Sequence, residues 1–232
     1  DQIMEIYKSL EEIGRSSQLV GYYRVLQRAW KELGLSSVLC VNHVPTLYRI
    51  DIPKRTLKPK ELSDFHHKFW NQGIASVLLI VDAKSAYIFS GLQPPQKESD
   101  EMQLKENDPA SPLLQSIPLV EFSQEQNDAL MESVTNGEFY RRYSAKFKSS
   151  SSVDHYLSEN IFGLCNVLTS GEGFAKLDQV TAHNFICRLF FASYLVDRGI
   201  CQLPKTTRAH LYQALLDRSD RDAIDYLYDF FI

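Results

Sequence analysis

Ser76-Val-Leu-Leu-Ile-Val81, then Asp82-Ala-Lys-Ser85, then Ala86-Tyr-Ile-Phe-Ser90, is the stretch that decides the fold of this chain. Two short β-rich runs joined by a brief polar link form a hairpin signature. The first run is apolar on both of its faces, the pattern of a strand covered above and below rather than one with a wet side. It is therefore expected at the centre of a sheet, with the second run beside it.

Working back toward the N-terminus, helical spacing covers residues 1–13 and 20–33. In the second of these, Tyr23, Leu26, Ala29, Trp30 and Leu33 share a face and Gly34 ends it. Ser37-Val-Leu-Cys-Val41 and Thr46-Leu-Tyr-Arg-Ile50 read as strands around Asn42-His43-Val44-Pro45. A basic loop, Pro53-Lys-Arg-Thr-Leu-Lys-Pro-Lys60, leads into a helix over 61–70 that Asn71-Gln72-Gly73 stops. Toward the C-terminus, residues 93–112 carry prolines and acids without an apolar period, so an exposed loop is expected. A helix is expected over 124–135, and everything from Glu138 onward reads as helical. Val153, Leu157, Ile161, Leu164 and Leu168 mark one helix, Thr181 to Gly199 another, with further helices over 206–216 and 220–231. The fold class is thus α+β: a mixed α/β domain with a small sheet over 1–120, followed by an all-helical connector domain over 121–232.

At 232 residues, with 44% hydrophobic and 23% charged residues, the composition is that of a globular protein with a real core. The longest apolar run, Val77 to Val81, is far too short to cross a bilayer. No signal-peptide pattern opens the chain, and Cys40, Cys165, Cys187 and Cys201 are scattered without a Cys-x-x-Cys pair. Buried, reduced thiols in a cytoplasmic protein without a membrane partner are the expectation. The net charge of −4 is unevenly spread. Residues 1–100 carry 13 Lys/Arg against 11 Asp/Glu, whereas 101–140 carry one Lys against eight acids. No region is basic enough to announce tight nonspecific nucleic-acid binding by charge alone.

The sharpest catalytic candidate is Asp51 with Asp82 and Lys84, a D…DxK string of the kind by which PD-(D/E)xK nucleases hold Mg²⁺ and activate water. The plainer reading is that Asp82-Ala-Lys-Ser85 is a polar hairpin turn, since a working acid and lysine sit on the strand itself. Lys54, Arg55, Lys58 and Lys60 offer phosphate contacts, against the reading of a solvated loop. Arg141 and Arg142, with Lys146 and Lys148, alternate with Tyr140, Tyr143 and Phe147. That mixture suits DNA stacking less well than aromatic anchors packing a domain joint. Ser170-Gly-Glu-Gly-Phe174 follows a helix rather than a strand and reads as a helix end, and His183 reads as a packed core residue. Gly-x-Ser-x-Gly, P-loop and His-Glu-x-x-His motifs are absent.

Three ordered segments resemble the N-terminal region of class I, adenine-specific DNA methyltransferases of restriction-modification systems. They are Phe69-Trp-Asn-Gln-Gly-Ile-Ala-Ser-Val-Leu-Leu-Ile-Val81 with Ala86-Tyr-Ile-Phe-Ser-Gly91 and Pro94-Pro95; Gly137-Glu-Phe-Tyr-Arg-Arg142 with Phe147, Val153-Asp-His-Tyr-Leu157 and Asn160; and the run from Thr181 through Tyr194-Leu-Val-Asp-Arg-Gly-Ile200. The resemblance implies a non-catalytic front segment that positions DNA or organises domains, with DNA and a downstream methyltransferase domain as partners. The S-adenosylmethionine loop and the Asn/Asp-Pro-Pro-aromatic loop of that family are not found here, so the cofactor and the flipped adenine would belong to that downstream domain. No catalytic or cofactor residue carries over. A Mg²⁺-dependent endonuclease domain and an interaction module without a DNA role are the alternatives.

Overall fold

The computed structural model describes residues 2–95, 104–106, 108–170 and 176–197. The chain divides into two compact units, Asp1–Glu159 and Asn160–Ile232.

The first unit is built on a six-stranded sheet whose strands lie in sequence order: β1 (Met4–Tyr7), β2 (Ser37–Val41), β3 (Val44–Ile52), β4 (Val77–Asp82), β5 (Ser85–Ser90) and β6 (Leu113–Pro118). All neighbours run antiparallel except β3 and β4, which are parallel. Parallel neighbours require a crossover, and helix α3 (Pro59–Trp70) supplies it. The fold is mixed α and β, as the sequence pattern indicates. Every residue of β4 is buried, as expected for a strand with both faces covered.

Local chemistry explains the turns. Asn42 and His43 adopt left-handed φ values of 49° and 65°, the pair of conformations a two-residue hairpin of matching twist needs between β2 and β3. Pro45 is accommodated because the ladder slips between Leu39 and Cys40 opposite it, so the missing N–H falls at a bulge. Gly91 allows a close approach: a Cβ there would stand 2.6 Å from the Ala75 carbonyl oxygen.

Helices cover the two faces unequally. On one face lie α1 (Leu10–Arg15), a 3₁₀ turn over Ser17–Tyr22, α2 (Tyr23–Leu33) and α3. They bury Ile13, Leu26, Leu33, Leu62 and Phe69 against Val38, Tyr48, Ile50, Leu78, Ile80 and Phe89. On the other face, α4 (Gln124–Thr135) and α5 (Glu138–Arg142) place Leu130, Met131, Val134 and Phe139 over Leu39, Leu47, Leu79, Val81 and Ile88.

Two expectations are corrected here, and one stretch gains a strand. The helix expected over 1–13 is a strand followed by a short helix: Met4 to Tyr7 alternates in exposure, and Ser9 caps α1 by accepting the Glu12 N–H. Tertiary pairing with β2 overrides a helical spacing too short to hold by itself. Leu113–Pro118, between the expected loop and the expected helix, is strand β6. Helices α4 and α5, assigned by the sequence to a helical domain from 121 onward, pack on the sheet of the first unit.

Helix α6 runs over Val153–Ser170 and α7 over Gln179–Asp197. Cys40 is buried, but Cys187 is exposed, as is His183, contrary to the expectation of a packed imidazole. Cys201, Gly171–Gly173, the Arg198-Gly199 helix end and the helices expected over 206–216 and 220–231 lie outside the described residues.

Candidate functional site

Asp51 and Asp82 do not share a site. In the parallel β3–β4 ladder Asp51 stands beside Val81 and Ile52 beside Asp82. The two acids are one residue out of step, and successive side chains on a strand point to opposite faces. Asp51 therefore lies on the α4 side, with Leu47 and Val81, and Asp82 on the α3 side, with Leu78 and Ile80.

Each acid is already engaged. The Arg49 Nε donates to Asp51 Oδ1 at 2.9 Å and to Oδ2 at 3.1 Å. Asp82 is fully buried. Its Oδ1 accepts the Lys84 and Ser85 backbone N–H groups, both at 2.8 Å, and its Oδ2 accepts that of Leu57 at 2.8 Å. This is the aspartate of a tight polar turn, a favoured use of Asp at such positions. Lys84 is exposed in the turn and not on the strand. Among the described residues no group of three or more His, Cys, Asp or Glu side chains is placed to hold a metal ion.

What Asp82 does instead is tie two loops together. It holds the 53–58 loop against the β4–β5 turn, an attachment reinforced by the Ala83 N–H donating to the Arg55 carbonyl at 3.1 Å. The Lys58 N–H donates to Glu61 Oε2 at 2.9 Å, and Arg55 ion-pairs with the same carboxylate. The Lys58 N–H, with Arg55 beside it, holds the Glu61 carboxyl below the usual carboxylate range. Arg55 is thus neutralised locally. Lys54, Lys58, Lys60 and Lys84 are exposed and have no ion-pair partner among the described residues. A basic surface results at the end of β3 and β4 that the linear sequence divides between two segments. Lys84 was legible only as a candidate nuclease residue; its basic neighbours come to it through the Asp82 hydrogen bonds.

The second basic segment does not join this surface. The Tyr140 hydroxyl hydrogen-bonds the Ser76 Oγ at 2.7 Å, which fixes α5 near the opposite end of β4. At roughly 3.3 Å per residue that is about 20 Å from Asp82. Arg141 and Arg142 are exposed there, Arg142 with Glu138 at 3.6 Å. Phe139, Tyr140, Tyr143 and Phe147 pack on one another, with Phe139 to Tyr143 centroids 4.9 Å apart, and on the sheet. They are core anchors, not stacking platforms.

A third feature escaped the sequence. The α4 side of β1–β3 holds an open groove of about 350 Å³ lined by Ile6, Lys8, Leu39, Leu47, Arg49, Asp51, Asn127 and Met131 among others. Arg49 Nη1 donates to Asn127 Oδ1 at 2.8 Å, and Ser36 Oγ accepts the Asp51 N–H at 2.9 Å. Lys8 and Ile6 could not be placed there while residues 1–13 read as helix.

Comparison of the chain with known protein families, with curated proteins and with solved structures gives no match. The functional reading rests on the chain's own residues.

Proposed function

We propose that this chain is a non-catalytic, DNA-facing front segment of an adenine-specific DNA methyltransferase of a restriction-modification system. The observation that carries the DNA-facing part is the lysine surface gathered around Asp82: Lys54 and Lys58 from one loop, Lys60 from the first turn of α3, and Lys84 from the β4–β5 turn. Four exposed lysines, of which Lys58 also lies near the Glu61 carboxylate, suit a phosphate backbone, and each phosphate neutralised adds to affinity and to its salt dependence. The three resembling segments support the methyltransferase part. In this reading S-adenosylmethionine and the adenine pocket belong to a downstream domain, and α6 and α7 belong to an all-helical connector toward it. Phe162, Val180 and Phe191 on these helices are more than 60% exposed, as suits helices that meet further partners.

Binding of a short DNA duplex, followed by fluorescence anisotropy at two salt concentrations, tests the reading. Micromolar affinity at about 50 mM salt is expected, falling steeply by about 200 mM. Charge reversal of Lys54, Lys58, Lys60 and Lys84 together should weaken binding at least tenfold and flatten the salt dependence by up to about three to four units of slope. No binding at low salt by a folded chain would leave an interaction module without a DNA role. Mg²⁺-dependent plasmid cleavage abolished by Asp51→Ala would instead restore the nuclease. In the parent gene, the lack of a downstream Asn/Asp-Pro-Pro-aromatic motif would overturn the methyltransferase assignment.

A further inference from the structure

The two edges of the sheet are finished differently. At the β6 edge, the Ser116 N–H donates to Glu106 Oε1 at 2.6 Å, Lys146 Nζ donates to the Leu113 carbonyl at 2.8 Å, and Pro118 ends the strand. Side chains and a proline thus occupy the groups through which another strand would pair, the usual protection of an edge.

Among the described residues the β1 edge has no such cover. The Asn42 N–H donates to the Ile3 carbonyl at 2.8 Å and the Ile3 N–H to Asn42 Oδ1 at 3.0 Å, so Ile3 turns its backbone groups toward β2. Bonded pairs alternate along an antiparallel ladder. With Glu5 opposite Cys40 and Tyr7 opposite Val38, residues 3, 5 and 7 bond inward to β2. Met4 and Ile6 then direct both N–H and C=O outward. Their side chains, 48% and 46% exposed, lie on the face of Leu39, and that of Ile6 lines the groove beside α4.

We propose that β1 pairs antiparallel with β1 of a second copy of this chain, about a two-fold axis at Ile6, and that the groove is completed by the partner. The same strand supplies two outward donors and two outward acceptors, so it complements itself under a two-fold rotation. Two registers that keep the apolar side chains on one face are centred on Glu5 and on Ile6. One sets Glu5 against Glu5, like charges directly opposite, which is unfavourable. The other sets Ile6 against Ile6 with reciprocal N–H to C=O bonds, Glu5 against Tyr7, and Met4 against Lys8. In it the Met4 N–H meets the second copy's Lys8 carbonyl; the Lys8 N–H is already held by Glu12 Oε2 at 2.6 Å and is not needed. The second copy's Met4 comes to the side of Lys8, at the mouth of the groove whose floor is Ile6, Leu39, Leu47 and Met131.

Sedimentation of the whole chain tests this. The mass should rise toward twice that of one chain between about 5 and about 200 µM, the regime of a small interface. Ile6→Pro removes one outward N–H without touching the inward ladder and should hold the chain at single mass; Ile6→Lys should do the same by placing two charges at the axis. In a Cys187→Ser background, Ile6→Cys should give a disulfide-linked dimer on mild oxidation, because a bonded antiparallel pair sets Cα atoms about 5.5 Å apart. Glu5→Cys should cross-link far less. A single-chain mass at every concentration overturns the proposal. So does a dimer that both Ile6 variants leave intact, or cross-linking through Glu5→Cys rather than Ile6→Cys.

Discussion

The two faces of the sheet are made from alternate residues of the same strands, yet they have different fates. Toward α1–α3 the strands present Val38, Cys40, Tyr48, Ile50, Leu78, Ile80 and Phe89, nearly all of them sealed. Toward α4 and α5 the apolar cover runs over β4 and β5 and reaches Leu47 on β3 and Leu39 on β2, but Arg49 and Asp51 interrupt it on β3. One face is a core from edge to edge. The other is a core into which a polar groove is cut beside β3. The consequence is that chemically identical side chains do different work: the aspartate on the closed side organises two loops, and the one on the open side sits in a partly exposed ion pair with Arg49 at the wall of the groove.

Breaking the closed side should have the largest effect. Asp82→Ala removes the acceptor of three backbone N–H groups, that of Leu57 in a fully buried setting. A stranded buried donor costs about 1–3 kcal/mol, so with the two turn donors a loss of about 3–4 kcal/mol is expected in urea unfolding. Asp82→Asn, which retains an acceptor oxygen, should lose roughly half of that. DNA affinity should fall with it, because the lysine surface depends on the same tether. A loss below about 1 kcal/mol for Asp82→Ala would mean that the turn and loop are held by other contacts.

The closed side also predicts a pH response of intermediate size. His66 is fully buried between Phe69 and Phe89, its Nε2 donating to the Ser90 carbonyl at 2.8 Å. Burial, partly opposed by that hydrogen bond, pushes its pKa down to about 4. The unfolded chain takes up the proton near pH 6.5, before the folded chain does, so stability is complete above that pH and is lost as pH falls toward 4. Between pH 7 and pH 5 the loss from this one residue should be about 2 kcal/mol. His66→Gln keeps a donor for the carbonyl but cannot titrate, so its urea midpoint should shift less over the same range. Equal shifts in both proteins would assign the pH response to other groups.

How much of this was legible follows from the range of the forces. The hairpin from Val77 to Ser90, the Gly34 helix end and the α3 and α4 helices depend on neighbours a few residues apart, and their periodicities state them. Asp82 as a turn residue was legible for the same reason. Strand β1 was not, because Met4 to Tyr7 is a strand only by virtue of pairing with Val38 to Val41, more than thirty residues away. The groove was lost with it. The meeting of Lys84 with the 53–58 loop was equally hidden, since it depends on two long-range bonds, from Leu57 to Asp82 and from Ala83 to Arg55. The opposite placement of Asp51 and Asp82 is pure parity, which a string of residues cannot show until the register is known.

The open side should give the smallest effect, and that is what makes it informative. Asp51 and Arg49 form an ion pair whose side chains are 35% and 26% exposed, and water screens much of their attraction. Asp51→Asn should therefore cost less than about 1 kcal/mol in urea unfolding, well below Asp82→Asn. It should also be the more revealing variant with respect to association. The groove that Asp51 lines is where the second copy's Met4 would be received, so its effect on dimer mass should exceed its effect on stability. A stability loss as large as that of Asp82→Asn would show that Asp51 lies beneath cover already present in one chain. In that case the asymmetry between the two faces would be an asymmetry of sequence alone, and the groove would be core rather than surface.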